Sequence, residues 1–376
     1  MIENNSDLKY VLDSVGKTAL WICALRSVST AYYCLNYDGA ADNLESNNQD
    51  FENRAIAYLK EKKDLFIPND PRIASIVYPE LKVFDPYSFY FISNLDTKEF
   101  IMEFYEQYFE EIYKLYCERQ SKVGTIHPRS FSKEELKQIQ IQKFKDNFHP
   151  IYSWVDLWTT HMIYGISFRT YLIDQMFMNA YQQGIKQFVI LGSGMDTRPL
   201  RMPLDSQCKV FELDFPSVLS FKQRALEPAI KEIKPASDCK INFCPCDLSD
   251  GNWIETIRSQ GFDSERSTLW IAEGLLFYLD QSTITKLGNI VNNNSGAKSK
   301  FIIHTFVEKS LDSPCFNYKK DDSLKIDGNI CKKYLDFTID IDNREFLSNN
   351  GFSSNIEEHR EIGQSLISVY SIGTKL

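Results

Sequence analysis

The sequence predicts an α/β fold: a seven-stranded, mostly parallel sheet with helices on both faces, preceded by a helical N-terminal cap. Three observations predict it. Short apolar strand segments alternate with helical segments from about residue 185 onward, which implies parallel strands joined by crossover helices. A Gly-x-Gly follows the first of those strands, in FVILGSGMDTRPLR from Phe188 to Arg201. Before about residue 150 the apolar spacing is helical rather than alternating. The expected division is a helical cap over residues 1–150, on the acceptor side, and a main domain over 151–376.

Each element has a local reason. Lys17 to Ser27, KTALWICALRS, has helical apolar spacing. A polar, irregular stretch is expected from Asn43 to Asn53. Asp96 to Glu99 is an Asp-x-x-Glu capping box. It opens a run in which Phe100, Phe104, Tyr108, Ile112 and Tyr116 share one helix face. A core face is the reading; an aromatic wall over a ligand is the alternative. Residues 121–150, punctuated by Pro128 and Pro150, read as a loop and one helix. A long helix from Trp154 to about Tyr181 ends at the capping Gly184.

Strands are then expected at Phe188–Leu191, Lys209–Leu213, Lys240–Cys244, Thr268–Ala272 and Phe301–Phe306, with two more after Gly351-Phe352 and over Ser365–Ile372. Helices are expected from Pro216, over Trp253–Gln260, over Ser282–Asn292 and over Arg344–Asn350. Asn292 to Gly296, NNNSG, reads as a turn.

The composition is that of a globular enzyme-sized chain: 376 residues, 43% apolar and 25% charged. A net charge of −9 argues against a nucleic-acid track or an anionic membrane surface. No apolar run reaches bilayer length, and MIENNSDLKY lacks the pattern of a secretory leader. Nine cysteines without framework spacing read as reduced thiols in the cytoplasm. Cys244-Pro-Cys246 lacks the second pair or histidines that a zinc site needs, so no metal is expected.

Chemistry is expected at the strand ends. Gly192 and Gly194 allow backbone to approach a ligand without a Cβ in the way. A dinucleotide fingerprint needs a third glycine, and Thr197 stands there. Asp214 ends the next strand, about twenty residues beyond the turn, where an acid suits two ribose hydroxyls. Asp247 ends the third and Glu273 the fourth. Three acids at one sheet edge disfavour a pyrophosphate and suit a cationic nucleoside such as S-adenosylmethionine.

At these residues the sequence resembles the leucine carboxyl methyltransferase family, whose members use S-adenosylmethionine. The resemblance runs through QFVILGSGMDTR (Gln187 to Arg198), FELDFP (Phe211 to Pro216), DLSDGNW (Asp247 to Trp253) and LWIAEGLLFYL (Leu269 to Leu279). Upstream, Thr18-Ala-Leu with Arg26, and Asp38-Gly-Ala-Ala41, look like the opening of the family's bacterial, small-molecule-type branch. The resemblance implies a Rossmann-like class I methyltransferase. It implies that Gly192, Ser193 and Gly194 approach the methionyl part of the cofactor and that Asp214 binds ribose. Asp247 and Leu248 would frame adenine, Glu273 would face the methionyl end, and Arg169 would pair with the cofactor carboxylate. Tyr278 would sit near the methyl group or acceptor. Ser193 stands where alanine is common in the family. The stretch from about 43 to 150 is longer than the bacterial pattern, and no lysine matches the one that phosphatase-modifying members carry.

The function so expected is S-adenosylmethionine-dependent O-methyl transfer to a carboxylate or hydroxyl of a small molecule. A carboxylate acceptor, ionised at neutral pH, needs only a cation to hold it, for which Arg198 or Arg201 is the candidate. A hydroxyl needs a base, for which His304 is the candidate, although it also reads as a core histidine. The alternatives are a protein C-terminus as acceptor, a binding protein without turnover, and a dehydrogenase. The oligomeric state is not legible in the sequence.

Overall fold

The protein is described by a computed structural model that covers residues 16–36, 48–62, 80–93, 132–146, 160–306, 341–362 and 366–376. Its centre is a seven-stranded sheet in the order β3-β2-β1-β4-β5-β7-β6. The strands are β1 Gln187–Leu191, β2 Lys209–Asp214, β3 Lys240–Pro245, β4 Thr268–Glu273, β5 Lys300–Phe306, β6 Phe352–Ile362 and β7 Leu366–Lys375. The first five are parallel; β7 runs antiparallel to both β5 and β6. The order reverses between β1 and β4, so the sheet's switch point lies beside the glycine turn.

Side-chain alternation decides which residues face which layer. Val189, Leu191, Phe211, Leu213, Trp270, Ala272, Phe301 and Ile303 point to one face, under the helices Trp253–Ser259, Gln281–Asn293 and Asn343–Asn349. Phe188, Ile190, Val210, Leu269, Ile271 and Ile302 point to the other, against the long helix Thr160–Gln182. That helix ends in a Schellman motif: Ile185 N–H donates to Ala180 C=O and Gly184 N–H to Tyr181 C=O, with Gly184 at φ 94°.

The N-terminal helices share a core with the sheet-flanking helix Pro216–Glu232. Leu20, Ala24, Val28, Phe51, Ile56, Tyr87 and Phe91 pack in one cluster with Val218, Phe221, Ala225, Met195 and Leu200. At its margin Tyr58 and Tyr90 both donate to Glu232. The irregular stretch expected over Asn43–Asn53 is corrected in its second half. A helix runs from Gln49 to Glu61, because Phe51, Ala55, Ile56 and Leu59 bury one face while Asp50 and Glu52 favour its first turn. The capping box at Asp96 and the aromatic run to Tyr116 lie outside the described residues, as does Asp38 to Ala41. No helix among the described residues is long and apolar enough to cross a membrane.

Candidate functional site

The C-terminal ends of β1, β2 and β4 converge on the glycine turn. Gly192 and Gly194 have φ of 63° and 43°. A Cβ at Gly192 would lie 2.9 Å from Leu275 Cδ1, and one at Gly194 3.0 Å from Ala19 Cβ. Conformation and space both call for glycine there. The turn is tied to β2: Ser193 N–H donates to Leu213 C=O at 2.9 Å, and Gly194 N–H to Asp214 Oδ2 at 2.7 Å. The other Asp214 oxygen accepts from Phe215 N–H at 2.7 Å. Ser193 Oγ is buried and makes no hydrogen bond among the described residues.

A network of largely buried charges surrounds this turn. Arg198 Nη1 bridges Asp196 Oδ2 at 2.6 Å and Glu273 Oε2 at 2.8 Å, and its Nε meets Asp174 Oδ1 at 2.6 Å. Arg201 is held by both oxygens of Asp174, at 2.6 and 2.7 Å. Arg169 Nε lies 2.7 Å from Glu273 Oε1, an ion pair without hydrogen-bond alignment. The rest of its guanidinium lies against the Gly274 turn, where a Cβ would sit 3.4 Å from Nη1. Arg26, on the helix Gly16–Asn36, pairs with Asp85 at 2.7 Å and donates from Nη2 to Met195 C=O at 2.5 Å. The N-terminal helix is therefore bound directly to the glycine turn.

The electrostatics follow from this pairing. Burial pushes the Glu273 carboxyl up, but Arg198 and then Arg169 outweigh it and hold the pKa down to about 2. Asp196 is lowered in the same way, with Arg198 outweighing burial. Asp214 is raised, chiefly by burial, while the Gly194 and Phe215 amides and Lys222 pull it back. Asp174, Asp196, Glu212 and Glu273 each have a cation at ion-pair distance. The bonds of Asp214 are to backbone amides. Of the three acids expected at this edge, Glu273 is neutralised by two guanidiniums, while Asp214 and Asp247 have no ion-pair partner among the described residues.

Of the residues expected from sequence, Arg169, Gly192, Ser193, Gly194, Asp214 and Glu273 meet around one turn. Asp247 is exposed and caps its own loop, with Oδ1 accepting from Ser249 N–H at 2.9 Å and Ser249 Oγ at 2.7 Å. It stays beside the site because Cys246 N–H donates to Asp214 C=O at 2.9 Å. Leu248 is buried under the same sheet edge. Tyr278 lies half-buried on the short 3₁₀ turn Leu276–Tyr278, its ring 4.7 Å from Phe277. Arg201 is turned into the interior by Asp174, and Arg198 is engaged on three sides, so neither is presented to an acceptor. His304 is buried, stacked 4.8 Å from Tyr370 and edge-on to Phe277 at 6.3 Å. Burial, and then Arg169, push its pKa well below the usual histidine value, leaving it neutral.

Sequence reading missed Asp174, Asp196 and Arg26 as parts of the site. One signal was available. Arg169 and Asp174 are the only Arg, Lys, Asp or Glu residues in the helix Thr160–Gln182, and an isolated charge in an apolar helix needs a partner.

Residues 130–291 match the leucine carboxyl methyltransferase family model. The match spans the helix Lys133–Asp146, the long helix, the glycine turn, and β1 through most of the helix after β4. Relatives of the chain include bacterial proteins provisionally named S-adenosyl-L-methionine-dependent methyltransferases. One from Mycobacterium tuberculosis H37Rv is 37% identical over 139 residues, which is 37% of this chain and 44% of the relative. One from Mycolicibacterium smegmatis is 32% identical over 174 residues, 46% of this chain and 52% of the relative. The chain thus spans about half the length of these relatives. A solved structure of a provisionally named methyltransferase from Thermobifida fusca aligns with 61% of this chain and 90% of its own, at 17% identity and a TM-score of 0.42. The family stretch contains each expected cofactor residue from Arg169 to Glu273, while the first 129 residues and the last 85 lie outside it.

Proposed function

We propose that the protein is an S-adenosylmethionine-dependent O-methyltransferase acting on the carboxylate of a small molecule. One observation carries the reading. Asp214, without an ion-pair partner among the described residues, faces the glycine turn through the 2.7 Å bond from Gly194 N–H. A half-buried carboxylate there suits a ligand that brings ribose hydroxyls and a positive charge. Arg169 is the matching cation: its Nη atoms make no hydrogen bond among the described residues, and they lie at the Gly274 turn. Ser193 Oγ adds a buried polar atom that has no partner among the described residues. These residues fit a nucleoside with an amino-acid tail.

When bound, S-adenosylmethionine supplies a methyl carbon on a sulfonium, which an oxygen takes by in-line displacement. The protein's residues bind and orient. Asp214 accepts from the ribose hydroxyls. Gly192 and Gly194 let backbone approach the methionyl chain. Arg169 holds the cofactor carboxylate, and Glu273 holds Arg169. Asp247 and Leu248 frame adenine, and Tyr278 flanks the methyl group. Residues 1–150 form the cap on the acceptor side of residues 151–376. Alignment and exclusion of water are the main contributions such a site makes. His304, buried and neutral among aromatic rings, is poorly placed as a general base. A carboxylate acceptor needs none, which favours it over a hydroxyl. The family description and the names of the bacterial relatives support methyl transfer, and the cytoplasm is the proposed location.

Calorimetric titration tests the reading: S-adenosylmethionine binds and NAD does not. Tritiated methyl donor in lysate then separates the acceptors. Label in an organic extract supports a small molecule; base-labile label on a protein band points to a protein C-terminus instead.

A further inference from the structure

Beneath the glycine turn lies an ion pair with no part in the cofactor contacts proposed above. Glu212 and Asp214 are two apart on β2, so they leave the same sheet face, about 7 Å apart along the strand. Lys222, in the second turn of the helix Pro216–Glu232, reaches back to that face. Its Nζ lies 2.7 Å from Glu212 Oε2, with the two side chains 1% and 2% exposed. Neither atom makes an aligned hydrogen bond. Burying two ions without good hydrogen-bond geometry is a poor source of stability. The placement of this pair, under an acid proposed to bind ligand, calls for another account.

The field at Asp214 comes from several elements. Glu212 and Lys222 lie below it. Asp196, from the glycine turn, is neutralised by Arg198 at 2.6 Å. From the N-terminal helix Cys23 comes close to Lys222, and Arg26 beside it is neutralised by Asp85 at 2.7 Å. From the end of β3 comes Cys246, with Asp247 next to it and exposed. Burial pushes both thiols up, Cys246 to about 12, so they carry no charge near neutrality. Lys222 is left as the cation acting on Asp214, and Glu212 as its counter-charge. Burial lifts the Glu212 carboxyl to about 7 against the pull of Lys222. As pH falls, Glu212 takes up a proton first. The charge of Lys222 then acts on Asp214 without its counter-ion.

We propose that Lys222 is a positioning residue: seated on Glu212 beneath the glycine turn, it keeps Asp214 a carboxylate, able to accept from both hydroxyls of a ribose. The inference rests on the reading of Asp214 as a ribose acceptor. It makes the pair a device that holds nucleoside affinity level as pH falls.

The test is calorimetric titration with S-adenosylmethionine between about pH 5.5 and 8.5, on wild type and on Lys222→Met/Glu212→Gln, which removes both charges together. The double variant matches wild type at about pH 8 and loses affinity at a higher pH than wild type does, because Asp214 without Lys222 takes up its proton earlier. A double variant with the wild-type pH profile overturns the inference, since a purely structural pair would shift melting temperature and not this profile. A wild type that binds nowhere in the range overturns the reading beneath it instead. Carbon-13 carboxyl NMR on the wild type serves if the double variant does not fold, with resonances assigned through Asp214→Asn and Glu212→Gln. Glu212 titrates at higher pH than Asp214; the reverse order overturns the inference.

Discussion

The backbone amide of Gly194 and the carboxylate of Asp214 are 2.7 Å apart, so the acid at the end of one strand holds the turn at the end of its neighbour. Asp214 thus shapes the turn and, in the proposed site, also faces the ligand. Replacing it affects both. Asp214→Ala weakens S-adenosylmethionine binding by about 1–3 kcal/mol through lost hydrogen bonds and also lowers the melting temperature. Asp214→Asn keeps one carbonyl acceptor for Gly194 but loses the one for Phe215 N–H, so it loses binding with a smaller loss of stability than Asp214→Ala. Calorimetry and thermal melting of the two variants check this. Equal affinity in all three proteins would remove Asp214 from the site.

Gly194 is the second partner in that bond. At φ 43°, with only 3.0 Å between the position of an added Cβ and Ala19 Cβ, a methyl group has neither conformation nor room. Gly194→Ala costs about 1–3 kcal/mol of stability and pushes the N-terminal helix away from the turn. Gly184→Ala is the control: it shares the positive φ, but nothing lies within 4 Å of its Cβ position. Urea denaturation of both proteins separates strain from contact, with the larger loss at Gly194 together with weaker cofactor binding.

Glu273 sits between Arg169 and Arg198, and its pH dependence follows from that position. Its folded pKa of about 2 lies below the ordinary 4.5. A carboxyl depressed on folding contributes stability that is complete above the unfolded pKa and is lost as pH falls through the folded one. Acid unfolding followed by circular dichroism therefore shows a loss of stability between about pH 4.5 and 2. Glu273→Gln loses that dependence and is destabilised at pH 7 by about 3–5 kcal/mol, because two buried guanidiniums are left short of a counter-charge. A variant as pH-sensitive as wild type in that window would refute the assignment.

Arg26 fastens the N-terminal helix through Asp85 and the Met195 carbonyl. Arg26→Met leaves Asp85 a buried, unpaired charge and costs about 3–5 kcal/mol. Adding Asp85→Asn recovers most of that loss. The carbonyl contact to the glycine turn is not recovered, so cofactor affinity stays reduced in the double variant. Denaturation midpoints and binding constants of the two variants separate these effects; an affinity restored together with stability contradicts a role for Arg26 at the turn.

Strand and helix order, the parallel sheet and the edge that carries the candidate site were legible in the chain, because local spacing encodes burial. The apolar run Phe188–Leu191 read as a strand, and Gly184 announced the end of a helix. The glycine turn and the acids at strand ends were equally legible, since Gly192, Gly194 and Asp214 occupy positions defined within one strand-turn unit. Partnership was not. Arg201 reads in sequence as a free cation beside a turn, yet Asp174, 27 residues earlier on another element, turns it inward. Glu273 reads as a bare acid and is clasped by Arg169 and Arg198. Nothing in the sequence joins Glu212 to Lys222, and they meet inside the protein. Periodicity is a property of neighbours along the chain, whereas an ion pair is decided by which distant side chains share a volume from which water is excluded. The chain alone therefore determined the scaffold and the place of the site; the tertiary structure decided which charges there remain unpaired for a ligand.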